Sequence, residues 1–211
     1  MNKKRIYVIG GCQGAGATFI ATSLSFALSE LTNGVAFVES PKTNCFKEEP
    51  LIVNQLSLEK MSRTKMNSYS NVYWCIYDET SKASEISKRV DKIPARYIIY
   101  DSPEDYKNCD LIICVIDSLP SKVLASTKKV KHLKQYFENK TIWVLNRNVI
   151  SNIRSVEKYL GIKFDFLIPM EEQKSFYKAE HFGKALSKSK FMDNDVRKAI
   201  ENIAKHIISL Y

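Results

Sequence analysis

The stretch GGCQGAGATF, Gly10 to Phe19, constrains the fold of this chain more than any other. It follows RIYVI (5–9), an apolar run that reads as a buried strand. After it comes ATFIATSLSFALSELTNG, where Ile20, Leu24, Ala27, Leu28 and Leu31 recur at helical spacing. Asn33-Gly34 is a helix stop, because glycine accepts the left-handed conformation there. VAFVE (35–39) then reads as a second strand. Strand, glycine-rich turn, helix and strand within forty residues predict a βαβ unit with parallel strands and a right-handed connection.

The remaining chain extends this pattern. NVYWCIYDE (71–79), RYIIYD (96–101), LIICVID (111–117), TIWVL (141–145) and FDFLIP (164–169) are strand-like, and several are nearly continuous in apolar residues, as strands covered on both faces tend to be. Helices are predicted over TSKASEISKRVDKI, 121–138, NIRSVEKYLG and the final DNDVRKAIENIAKHIISLY. Residues 40–71 read as surface loops with one short helix. Alternating strands and helices predict an α/β fold, a doubly wound, mostly parallel sheet with helices on both faces. The 211 residues suit a single domain, 1–211. No stretch reads as a signal peptide, no apolar run approaches a membrane span, and five cysteines without metal-type spacing fit a reducing cytosol, so the chain is expected to be cytoplasmic.

Gly11-Cys-Gln-Gly-Ala-Gly16-Ala17-Thr18 carries every element of the phosphate-binding pattern G-x-x-x-x-G-K-[ST] except its lysine. Glycines let backbone N–H groups turn inward around an anion, and the helix N-terminus beyond adds partial positive charge. Gly11, Gly14, Ala15, Gly16, Ala17, Thr18 and Phe19 are therefore candidate nucleotide-binding residues, with Thr18 offering a hydroxyl to Mg²⁺. Losing the lysine should weaken triphosphate binding by about 1.5–3 kcal/mol. The plain alternative is a tight strand-to-helix turn with no ligand.

Beyond the loop, a family resemblance appears. GGCQGAGATFIATSLSFAL resembles the opening of the MinD/ParA superfamily of P-loop NTPases, whose loop reads K-G-G-x-G-K-[ST]. On that match the second lysine falls on Ala17, and the signature lysine, which reaches across a dimer, falls on Cys12. VAFVESPKTN sits where the family has a D-x-D pair, with Glu39 at the first acidic position and Pro41 at the second, which positions the attacking water. ARYIIYDSPED resembles the family's Walker-B strand end, which implies Asp101 as the acidic residue near Mg²⁺ and the candidate catalytic carboxylate. CDLIICVID resembles the next strand, TIWVLNRN implies that Asn146 meets the adenine edge, and FLIPMEEQKSFYKAEHFGKAL places Ile168-Pro169 near the base. The loop is nearest the TadZ/CpaE-like branch, which helps place pilus secretion machinery.

The resemblance implies binding of ATP or ADP with Mg²⁺, a homodimer and a protein partner within a larger assembly. With both lysines absent and Pro41 at the water-positioning place, the expectation is a pseudo-ATPase that positions or scaffolds rather than hydrolyses. One alternative is an active ATPase whose missing cation comes from Lys42, Arg147 or a partner chain. Another is a nucleotide-free module that binds nucleic acid, because the net charge is +9 and lysines crowd residues 121–140. Those lysines also read simply as a solvated helix face. The apolar stripe Val196, Ile200, Ile203, Ile207 and Leu210 reads as docking on the sheet, with peripheral membrane contact the lesser reading. Asp117 reads as structural, Cys12 as an unreactive thiol, His132, His181 and His206 as solvated or packed, and Tyr177 as either base-pocket or core.

Overall fold

The apolar runs assemble into one sheet around the strand that precedes the glycine-rich turn. The computed structural model describes residues 2–39, 67–69, 71–75, 88–103, 105–106, 108–149, 152–171, 175 and 192–211. In chain order these form β1 (Lys4–Gly10), α1 (Ala17–Leu31), β2 (Val35–Glu39), β3 (Asn67–Tyr69), β4 (Val72–Cys75), β5 (Tyr97–Asp101) and β6 (Leu111–Asp117). Then come α2 (Pro120–Phe137), a 3₁₀ turn (Glu138–Lys140), β7 (Thr141–Asn148), α3 (Ile153–Leu160), β8 (Phe166–Pro169) and α4 (Asn194–Leu210). The strand order is β3-β4-β2-β5-β1-β6-β7-β8, and every pairing is parallel except β3 with β4.

The strands are nearly continuous in apolar residues because both faces are covered. In β1, Ile6 and Val8 enter a core shared with α1 and α4, while Tyr7 and Ile9 enter a second core under α2 and α3. A period of two in side-chain direction thus divides one apolar run between two layers. Val196, Ile200, Ile203, Ala204 and Ile207 of α4 are buried in the first core, so the helix stripe docks on the domain as its spacing suggests. Its end is tied down as well: Arg96 donates to the Tyr211 carbonyl at 2.9 Å, and Lys4 Nζ lies 4.2 Å from the Tyr211 ring centre. Among the described residues no helix is long and apolar enough to cross a membrane.

Trp74 of β4 is fully buried, with ring centres of Phe37 and Phe26 at 4.9 and 5.3 Å. Trp74→Ala is expected to cost about 3–5 kcal/mol in urea unfolding, because it leaves an apolar void in the first core.

Two boundaries differ from expectation. The segment assigned to loops and a short helix contains an antiparallel edge strand, β3, turned by Asn71 at φ 63°. NSY is too short for periodicity to register, and pairing with β4 is what makes it a strand. TIWVL continues to Asn148, so Asn146 lies within β7, not beyond it. The predicted helix over 80–93 lies mostly outside the described residues, as do Pro41, Lys42, Cys45, Tyr177 and His181.

Candidate phosphate-binding site

β1 and β6 are neighbours, yet the helix after β1 packs on one face of the sheet and the helix after β6 on the other. This divergence opens a crevice at the carboxyl ends of the strands, the usual ligand site of an open α/β sheet. The loop from Gly11 to Gly16 occupies that crevice. Gly14 and Gly16 have φ of 74° and 92°, a region that favours glycine. A Cβ on Gly11 would stand 2.6 Å from Ser126 Oγ on α2, and one on Gly16 would stand 2.3 Å from Asn146 Nδ2. Close approach and backbone handedness explain three of the glycines. The N-terminus of α1 has no side-chain cap and no acidic residue in its first turn, so the helix end keeps its positive potential.

Thr18 and Asp101, eighty-odd residues apart in sequence, meet here. Asp101 ends β5 in register with Val8 and Glu39, and Thr18 hydrogen-bonds its carboxylate. Ser102 Oγ donates to Asp101 Oδ1 at 3.0 Å. The other oxygen, Oδ2, is buried without a hydrogen-bond partner among the described residues. Burial pushes the Asp101 carboxyl up to about 6, against the opposing effect of the hydrogen bonds from Thr18 and Ser102. An orphaned carboxylate oxygen beside a loop hydroxyl suits a hard divalent cation completed by phosphate oxygens and water, so these residues fit Mg²⁺. Glu39 is buried at the neighbouring strand end.

Asn146, expected at the adenine edge, is buried beside the loop, where Nδ2 donates to the Ala15 carbonyl at 2.9 Å. Pro169 ends β8, half-buried, and Phe19 packs against the first core. Ala15 and Ala17 are buried, Ala17 in that same core. Asp117 has a structural part. It accepts from the Leu119 amide at 2.9 Å before α2 and pairs with Arg147 Nη1 at 2.7 Å. Arg147 also donates to the Gly14 carbonyl at 3.2 Å, so one of the proposed sources of a replacement cation does reach the loop.

Lys122, in the first turn of α2, is the site residue that motif matching missed. Its Nζ donates to the Gln13 carbonyl at 2.8 Å. Nothing in the SKVLAS segment signals this contact, because a surface lysine at a helix start is ordinary. Cys12 is half-buried and unpaired in a disulfide, and Cys114, buried in β6, is pushed up to about 12 by desolvation. His132 packs on Tyr136 and His206 on Phe166.

Sequence comparison with family models and with curated proteins finds no match. Comparison of structures does. The chain is similar to a ParA family ATPase from Chlorobium tepidum TLS, with TM-score 0.73 and 17% identity over 98% of this chain and 99% of that one. It is similar to a putative plasmid partition protein from Borrelia burgdorferi B31 bound to AMPPNP, with TM-score 0.69 and 14% identity over the whole of both chains. The septum site-determining protein MinD from Pyrococcus horikoshii OT3, complexed with Mg-ADP, matches with TM-score 0.64 and 17% identity, covering 99% of this chain and 97% of that one. At end-to-end coverage and with its loop at the strand-helix junction the architecture requires, this chain has the fold of the ParA/MinD-type P-loop NTPases.

Proposed function

We propose that this protein binds ATP or ADP with Mg²⁺ at the Gly11–Thr18 loop and acts as a ParA/MinD-like positioning or scaffolding factor with little or no hydrolysis. The observation that carries the reading is the meeting of Thr18 with the buried, half-orphaned Asp101 carboxylate at the end of an uncapped helix. A turn that served only to reverse the chain would have no use for a desolvated acid there. The loop amides and α1 would hold the phosphates; Asp101 and Thr18 would hold the metal, which supplies charge neutralisation to the phosphate oxygens when bound. Slow hydrolysis follows from Ala17 and Cys12 standing where the family's lysines stand. The structural relatives with nucleotide, Mg-ADP in one and AMPPNP in another, support the ligand class. A MinD–MinC complex among the structural relatives supports a protein partner, and we extend the proposal to a cytosolic homodimer serving a larger assembly, TadZ-like in its loop.

The nucleic-acid reading gains little. α2 has five lysines and no acid, but Lys122, Lys129 and Lys134 are engaged with Gln13, Tyr106 and Gly161, which leaves Lys128 and Lys131 facing out.

Thermal melting with and without millimolar Mg-ATP tests occupancy, since a ligand of the folded state alone must raise its stability. At a hundredfold excess over Kd the gain is about 2.7 kcal/mol, a rise of several degrees. An unshifted melting curve at millimolar nucleotide would end the proposal. Phosphate release is expected to stay near background in the natural protein; brisk turnover would remove the scaffold reading while keeping the ligand.

A further inference from the structure

Three consecutive loop carbonyls, those of Gln13, Gly14 and Ala15, each accept a hydrogen bond from a side chain arriving from the other side of the crevice. The donors are Lys122 Nζ at 2.8 Å, Arg147 Nη1 at 3.2 Å and Asn146 Nδ2 at 2.9 Å. In a trans peptide the carbonyl of one residue and the amide of the next point in opposite directions. Holding these three oxygens toward α2 and β7 therefore turns the N–H groups of Gly14, Ala15 and Gly16 the other way, and of these the Ala15 N–H donates at 3.4 Å to the Cys12 carbonyl within the loop. Glycine at position 14 is part of the same arrangement: its φ is 74°, and a Cβ there would stand 3.2 Å from Lys122 Nζ.

The three donors are not equivalent. Asn146 is neutral, and the Arg147 charge is balanced by Asp117 at 2.7 Å. Lys122 has no carboxylate partner among the described residues. It is a cation placed against a loop that has alanine where a lysine would stand.

We propose that Lys122 is the cation of this phosphate-binding loop, acting from α2 behind the peptide chain in place of a lysine at position 17, and that it sets affinity for the polyphosphate tail of an adenine nucleotide. This rests on the nucleotide-binding reading above. Lys122 is a positioning residue: its charge reaches the ligand through the Gln13–Gly14 peptide, which it orients and polarises, and as a positive charge beside the loop. Arg147 and Asn146 hold the next two peptides in the same sense.

The test is calorimetry with Mg-ATP, Mg-ADP and adenosine on the natural protein, Lys122→Met, Lys122→Arg, Ala17→Lys and the double variant Ala17→Lys/Lys122→Met. Loss of one charged contact is expected to weaken Mg-ATP by about ten- to a hundredfold in Lys122→Met, and Mg-ADP by less, with adenosine unchanged. Lys122→Arg should bind within about threefold of the natural protein, since charge and donor are retained. Ala17→Lys should raise Mg-ATP affinity more in the Lys122→Met background than in the natural protein, and an equal gain in both would overturn the exchange of one cation for the other. Natural protein that binds Mg-ATP, beside a Lys122→Met variant that binds it equally well, overturns the role of Lys122 and leaves the site intact. Equal weakening of Mg-ATP and adenosine also overturns it, by showing a general disturbance. Natural protein that binds none of the three ligands removes both proposals together.

Discussion

Gly16→Val is expected to remove nucleotide binding, by more than about a hundredfold in Kd, and to destabilise the fold by about 2–4 kcal/mol. Two effects add at this one position. The backbone at φ 92° is where a β-branched residue is strained, and the new Cβ would lie 2.3 Å from Asn146 Nδ2. Asn146 is itself buried and holds the Ala15 carbonyl, so it cannot retreat without releasing the loop. Relief of the clash therefore turns the peptides whose amides would face the phosphates. Gly161→Ala is the control. It too has positive φ, 66°, but its Cβ would meet only the flexible end of Lys134 at 3.4 Å, far along the chain from the loop. That variant should lose about 1 kcal/mol in urea unfolding and bind Mg-ATP unchanged. Equal binding by Gly16→Val and the natural protein would mean that the loop does not form the seat.

Asp101→Asn is expected to stabilise the metal-free protein while removing its response to magnesium. Burial holds the Asp101 carboxyl at about 6, above its ordinary 3.8. Because the folded value lies above the unfolded one, the folded state prefers the protonated acid. The stability associated with that preference is complete below about pH 4 and is lost as pH rises through about 6; the difference amounts to about 3 kcal/mol. Asparagine stays neutral throughout and can still hydrogen-bond Thr18 and Ser102. In EDTA the variant should match the natural protein near pH 4 and exceed it by up to about 3 kcal/mol at pH 8, read from urea unfolding. With Mg-ATP the order should reverse, because the natural protein alone gains a carboxylate–metal contact. A natural protein whose EDTA stability does not fall between pH 4 and pH 8 would show that the Asp101 charge is compensated in the fold.

Much of this was legible in the chain. Apolar runs bounded by turns reveal strands covered on both faces, and β1, β2, β5, β6 and β7 appear where those runs are. The glycines of 11–16 could be assigned to a tight strand-to-helix turn because local backbone handedness needs no tertiary information. The Thr18–Asp101 pair was accessible through family resemblance. The short β3 was not, since three residues carry no period and owe their state to a neighbour. Asn146 shows a different kind of gap. The family resemblance of TIWVLNRN implies a site role for it, but only the packing of β7 near the loop directs its amide to Ala15.

Sequence by itself determined the layered sheet, the glycine turn and the uncharged side chain at position 17, because local conformation and apolar periodicity are properties of adjacent residues. The tertiary structure alone decided which cations serve that turn. Lys122 lies 109 residues from Gln13 and Asn146 lies 131 from Ala15. Their meeting depends on β6 lying beside β1 and β7 beside β6, with α2 on the opposite face from α1. Electrostatic and hydrogen-bond contacts act through space over a few ångströms, and sheet order, not sequence spacing, sets those distances.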